Sequence, residues 1–204
     1  GHCQHHCVVR SGMALVVASQ CATGAAQGFR SVVSTSFKYL QAYPEALLQQ
    51  VKKIIEGPGL SAWLISRHPL AHGMRTDSAL YAYVMALKNE FLRQAEPINK
   101  VSFDSKLHII QHALGLHTTT SRIQGSKLKS KRDIKVAALF KDTPMAFLQM
   151  IAVHELAHLK VREHDKAFYK LCHHMAPDYA QSEFELRVYL THLDAGGERL
   201  WASA

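Results

Sequence analysis

Long apolar runs are missing from this chain. No stretch approaches the roughly 20 consecutive apolar residues of a membrane-crossing helix, which excludes a helical span and argues against a membrane partner. Cysteine is scarce and poorly placed for stapling a fold. Of four cysteines, Cys3, Cys7 and Cys21 lie in the first 21 residues, and only Cys172 lies in the body. That distribution excludes a disulfide-built secreted domain and leads us to expect a reducing, cytoplasmic setting. Acidic residues are few: 16 Asp and Glu face 24 Lys and Arg, a net charge of +8. Such a balance suits an acidic partner, whether nucleic acid, nucleotide or anionic surface. Internal repeats and a glycine-rich phosphate loop are also absent.

What remains is an ordinary globular composition, 48% hydrophobic and 20% charged. At 204 residues, one domain with a sizeable core is expected. Gly1 to about Gln27 shows neither helical period nor strand alternation, and 1–35 is expected to be a disordered or non-native tail. Its His2, Cys3, His5, His6 and Cys7 are too terminal to argue for a metal site, and the apolar run after Met13 is too short for a signal peptide. The expected domain is 36–204, divided into a helical part, 36–97, and a core, 98–204.

Helical spacing dominates the first part. Pro44 opens a segment with Leu47, Leu48, Val51 and Ile55 on one face, closed by Gly57-Pro58-Gly59. A short helix is expected at 61–66. Thr76, Asp77 or Ser78 can cap another, whose stripe is Leu80, Val84, Leu87 and Phe91. A further helix is read at 106–114. The period then changes: threonine-rich 117–124 and alternating 133–140 favour strands, with polar 125–132 as a hairpin connection. Thr143-Pro144 starts a helix expected to reach about Val161, Asp165 caps one to Met175, and a last helix occupies 180–192. The expected fold is α+β, zincin-like and mostly helical, with a small antiparallel sheet beside the metal-binding helix.

The chemistry centres on His154-Glu155-Leu156-Ala157-His158. Residues four apart lie one turn apart on one helix face, so both imidazoles can reach one ion, and Phe147 and Ile151 continue their stripe toward the interior. Zinc is the expected ion, one per chain, although iron, manganese or nickel also bind imidazole. A catalytic zinc keeps an open position for water, and Glu155 is placed to act as general base. For the third ligand, His164 is preferred because Asp165 offers a fresh helix start after it; Glu183 or Glu185 are the rivals. A purely structural zinc, closed by Glu183 or Cys172, is the non-catalytic alternative. His108 and His112 share the spacing but lack the intervening Glu.

His154 to Tyr169, read as H-E-L-A-H-L-K-x-x-x-H-D-K-A-F-Y, followed by Pro177-Asp178-Tyr179, resembles the YgjP-like metallopeptidase family, which is related to SprT and WLM-type zincins. Upstream, Arg122-Ile123-Gln124-Gly125-Ser126 stands where that family has an Arg-x-x-Gly-Ser element. The resemblance implies His154, His158 and His164 as zinc ligands and Glu155 as catalytic base. It further implies a zinc metallopeptidase acting on a peptide or protein, or a metal-dependent nucleotide pyrophosphatase, an activity also assigned to the family. The expected main activity is peptide hydrolysis. Lys127, Lys129, Lys131, Arg132 and Lys135 crowd the expected hairpin turn and, with Arg122, Gly125 and Ser126, are candidate contacts for a nucleic acid or nucleotide.

Overall fold

The structure is a computed structural model describing residues 39–41, 43–56, 59–106 and 132–201. Its elements run α1 (Glu45–Glu56), α2 (Gly59–Arg67), α3 (Asp77–Phe91), β1 (Lys100–Asp104), β2 (Asp133–Ala137), a 3-10 turn (Ala138–Asp142), α4 (Met145–Ala157), α5 (Lys166–Met175) and α6 (Tyr179–Asp194). The start signals read from sequence act as expected. Pro44 directly precedes α1, and its carbonyl accepts from the Leu47 and Leu48 amides. The Thr76 hydroxyl accepts from the Ala79 amide at 3.2 Å, and the Asp165 carboxylate from the Phe168 amide at 2.9 Å. Each side chain satisfies an amide that the first helical turn leaves without a partner.

Helix α4 is the centre of the molecule. Its sequence, MAFLQMIAVHELA, is apolar almost all round, and Phe147, Leu148, Met150, Ile151, Ala152, Val153, His154, Leu156 and Ala157 are buried. A helix apolar on every side must be covered on every side. It packs against α3, β2, α5 and α6. Helix α6 supplies Tyr179, Phe184, Leu186, Val188 and Tyr189 to the same core. The chain before α3 is pinned to the turn that launches α4: His72 Nε2 meets the Phe140 carbonyl at 2.7 Å, and Arg75 pairs with Asp142. The Trp201 indole N–H donates to the His68 carbonyl at 2.7 Å, setting its ring edge-on to Phe147.

The sheet differs from expectation. Among the described residues it has two strands, and they are parallel, with Lys100 opposite Asp133, Val101 opposite Ile134 and Phe103 opposite Val136. The antiparallel, zincin-like sheet expected from 117–124 and 133–140 is therefore corrected. The partner of β2 is Lys100–Asp104, which enters the pair from far upstream and runs the same way. The expected strand 133–140 is also too long. Its apolar alternation continues past Ala137, but residues from Ala138 wind into the 3-10 turn that buries Leu139 and Phe140. The helix expected at 106–114, the strand at 117–124, the connection 125–131 and the tail 1–35 lie outside the described residues.

A buried ion pair ties α2 to α6. Glu185, 1% exposed, meets Arg67 and His68, the latter at 2.5 Å, and accepts from Gln181 at 2.8 Å. Burial alone would raise its pKa, but the hydrogen bonds from His68 and Gln181 and the charge of Arg67 outweigh that and hold it below the ordinary 4.5. A depressed carboxylate pKa stabilises the fold fully above about 4.5, and that stability is lost as pH falls through the lowered folded value. Glu185→Gln should therefore cost roughly 2–4 kcal/mol at neutral pH, less than a fully enclosed pair because Arg67 reaches solvent. Urea unfolding at neutral and acid pH should show that cost and a flatter loss of stability on acidification.

Candidate metal centre

The last turn of α4 carries His154 and His158, and the helix stops at once. Ala157 is its final residue, short of the expected Val161, and tight turn bonds follow: Leu159 N–H to Leu156 O at 3.1 Å and Lys160 N–H to Ala157 O at 3.0 Å. The early stop has a local cause. The His158 ring reaches the Val161 carbonyl at 3.0 Å, which secures the turn and leaves His158 Nε2 facing away from it. The chain reverses through Glu163, and the Asp165 cap starts α5 immediately after His164. That order brings His164 back over the end of α4.

Three imidazoles meet there. The Nε2 atoms of His154 and His158 are 3.2 Å apart, and His164 Nε2 is 3.1 Å from each. His154 is buried and the other two partly so. A tetrahedral ion bound at about 2.0–2.1 Å needs ligand nitrogens roughly 3.3 Å apart, so these three fit one divalent cation and leave a fourth position for water or substrate. Neutral imidazoles bind through a lone pair, and the other ring nitrogens are partnered to leave it free: His158 Nδ1 by Val161 O, His154 Nδ1 by the Tyr179 hydroxyl at 2.8 Å. Behind them Phe168, fully buried, touches all three rings at centroid distances of 4.6–5.0 Å.

Glu155, next to the first histidine, is half-buried, and its removal from water pushes its pKa up to about 7. A nearby cation would favour its charged form. The rival ligands are engaged elsewhere. Glu183 pairs with Arg187 at 2.7 Å, Glu185 with Arg67 and His68, and Cys172 is not one of the clustered groups. Among the described residues, no fourth ligand closes the group. Arg132 pairs with Glu96 and Lys135 with Asp104. Arg122, Gly125, Ser126, Lys127, Lys129 and Lys131, with His108 and His112, lie outside the described residues. His173 and His174 are exposed.

Sequence reasoning gave no role to Tyr179 or Phe168. Phe168 carries a readable signal, since it follows His164 by one helical turn. Tyr179 carries none beyond its place after Pro177-Asp178, because its contact with His154 joins two helices distant in sequence.

Residues 87–189 match the family described as YgjP-like, metallopeptidase domain. The chain is 52% identical over 166 residues to the UTP pyrophosphatase of Escherichia coli (strain K12), covering 81% of this chain and 99% of that protein. No solved structure matches. These findings correct the expected zincin-type HExxH metalloprotease centre. The described residues assemble a three-histidine cluster, their sheet is parallel, and the curated relative is a pyrophosphatase rather than a protease. They agree with an enzyme, specifically a metal-dependent hydrolase. On its match across just over half its length and on this relative, the chain belongs to the YgjP-like metallopeptidase domain family.

Proposed function

We propose that this enzyme hydrolyses a nucleoside triphosphate of the UTP type to the monophosphate and pyrophosphate. The observation that carries the reading is the likeness to a UTP pyrophosphatase across 99% of that protein's length. The three-histidine cluster supports it with a site for one divalent cation, zinc being the first choice for an all-imidazole set.

His154, His158 and His164 would hold the cation. When bound, it makes a water molecule easier to deprotonate and draws charge from a phosphoryl oxygen. Glu155 is the proposed general base: its carboxylate takes a proton from the attacking water. The water oxygen bonds to the α-phosphorus, the bond from that phosphorus to the bridging oxygen breaks, and the proton is passed to the departing pyrophosphate. Phe168 keeps water from the rear of the rings. Arg122, Lys127, Lys129 and Lys131, with Gly125 and Ser126 between them, are proposed to meet the triphosphate. Arg132 is engaged by Glu96 and contributes less.

The metal-loaded protein should release pyrophosphate from UTP. Chelation should abolish this and added Zn2+ restore it. A metal-loaded protein that leaves every nucleoside triphosphate intact would refute the reading. Glu155→Gln should keep its metal, measured by elemental analysis, and lose about 10²–10⁴-fold in kcat. Joint replacement of Lys127, Lys129 and Lys131 by Ala should raise KM for UTP with kcat little changed, the pattern of lost ground-state binding.

A further inference from the structure

The back of the metal centre is built from two stripes at helical spacing. On α5, Phe168 and Cys172 follow His164 at successive turns. On α6, Tyr179, Glu183 and Arg187 do the same. Tyr179, 1% exposed, is the point where the stripes meet His154, its hydroxyl 2.8 Å from Nδ1. The direction of that bond follows from the chemistry. For His154 Nε2 to offer a lone pair beside the other two rings, Nδ1 must carry the proton and donate it. The tyrosine oxygen then accepts, and its own hydrogen needs a second acceptor.

Cys172, fully buried, has its thiol pushed up to about 12 by burial, with the Tyr179 hydroxyl acting to lower it. Glu183 is fixed by Arg187, whose second amino group donates to the Tyr39 carbonyl at 2.9 Å.

We propose that Tyr179 is a positioning residue of the metal centre: its hydroxyl accepts the His154 Nδ1 proton and locks that ring in the tautomer that binds a cation through Nε2. The Glu183–Arg187 pair secures the helix face that carries the hydroxyl. The inference rests on the metal-site reading and is independent of which bond the enzyme cleaves. Hydrogen-bond partners of ligating histidines act in this way, and losing one weakens metal binding about 10–100-fold.

The test measures Zn2+ affinity without substrate, by competition with a chromophoric chelator. Tyr179→Phe keeps the ring and deletes only the hydroxyl, and should raise the Zn2+ Kd about 10–100-fold. Tyr189→Phe removes a buried hydroxyl from the same helix away from the cluster, and should leave the Kd unchanged. That contrast separates positioning from a general loss of stability. In the zinc-loaded wild type, the His154 Nδ1 proton should be a slowly exchanging NMR resonance, and it should exchange rapidly in Tyr179→Phe. Equal Zn2+ affinity in wild type and Tyr179→Phe, no Zn2+ binding by either, or a freely exchanging Nδ1 proton in the wild type would each overturn the proposal. Because no nucleotide is present, failure of the pyrophosphatase reading would leave the result interpretable.

Discussion

Three imidazole nitrogens held 3.1–3.2 Å apart cannot all carry protons, because their N–H groups would face one another with no lone pair to receive them. The surrounding chain is arranged so that they need not. Two rings give their outer nitrogens to fixed oxygens, one from the turn after α4 and one from the first residue of α6. Phe168 presses on all three from behind. The stop at Ala157, the return through His164 and the cap at Asp165 are therefore parts of one arrangement, since moving any of them separates the nitrogens by more than one ion can bridge.

What could be read in the sequence was local. The i, i+4 histidines, the nearby third histidine and the Thr76 and Asp165 caps each declare themselves within a dozen residues, and the structure brings the histidines together and forms both caps as read. What could not be read was non-local. Five residues, Lys-Val-Ser-Phe-Asp at β1, are too short to announce a strand, and nothing in them names a partner beyond residue 130. A threonine-rich neighbour looked like the nearer mate for β2, and nearness argued for a hairpin. Tyr179 was missed for the same reason, because its significance lies in a helix it does not adjoin in sequence.

The chemistry divides along similar lines. Histidine ligands with a neighbouring carboxylate are suited to delivering an activated water, and that much follows from residue type and spacing. The identity of the electrophile does not, because a carbonyl carbon and a phosphorus make the same demand on a general base. Choosing between them depends on groups that hold the rest of the substrate. The proposal of a nucleotide substrate therefore draws on the likeness to a UTP pyrophosphatase, since the ligand set leaves the two readings equal.

Parallel pairing of β1 with β2 also bears on how the chain reaches its fold. An antiparallel hairpin can zip outward from its turn, but a parallel pair has no such starting point. The stretch between Asp104 and Asp133 must be gathered in before the first rung forms, and its loss of freedom is not offset until then. Helices α3 and α4, which flank the pair, can form from local contacts and then hold the strands in place. Closing β1 onto β2 across that separation is intrinsically slower than forming the helices that flank them.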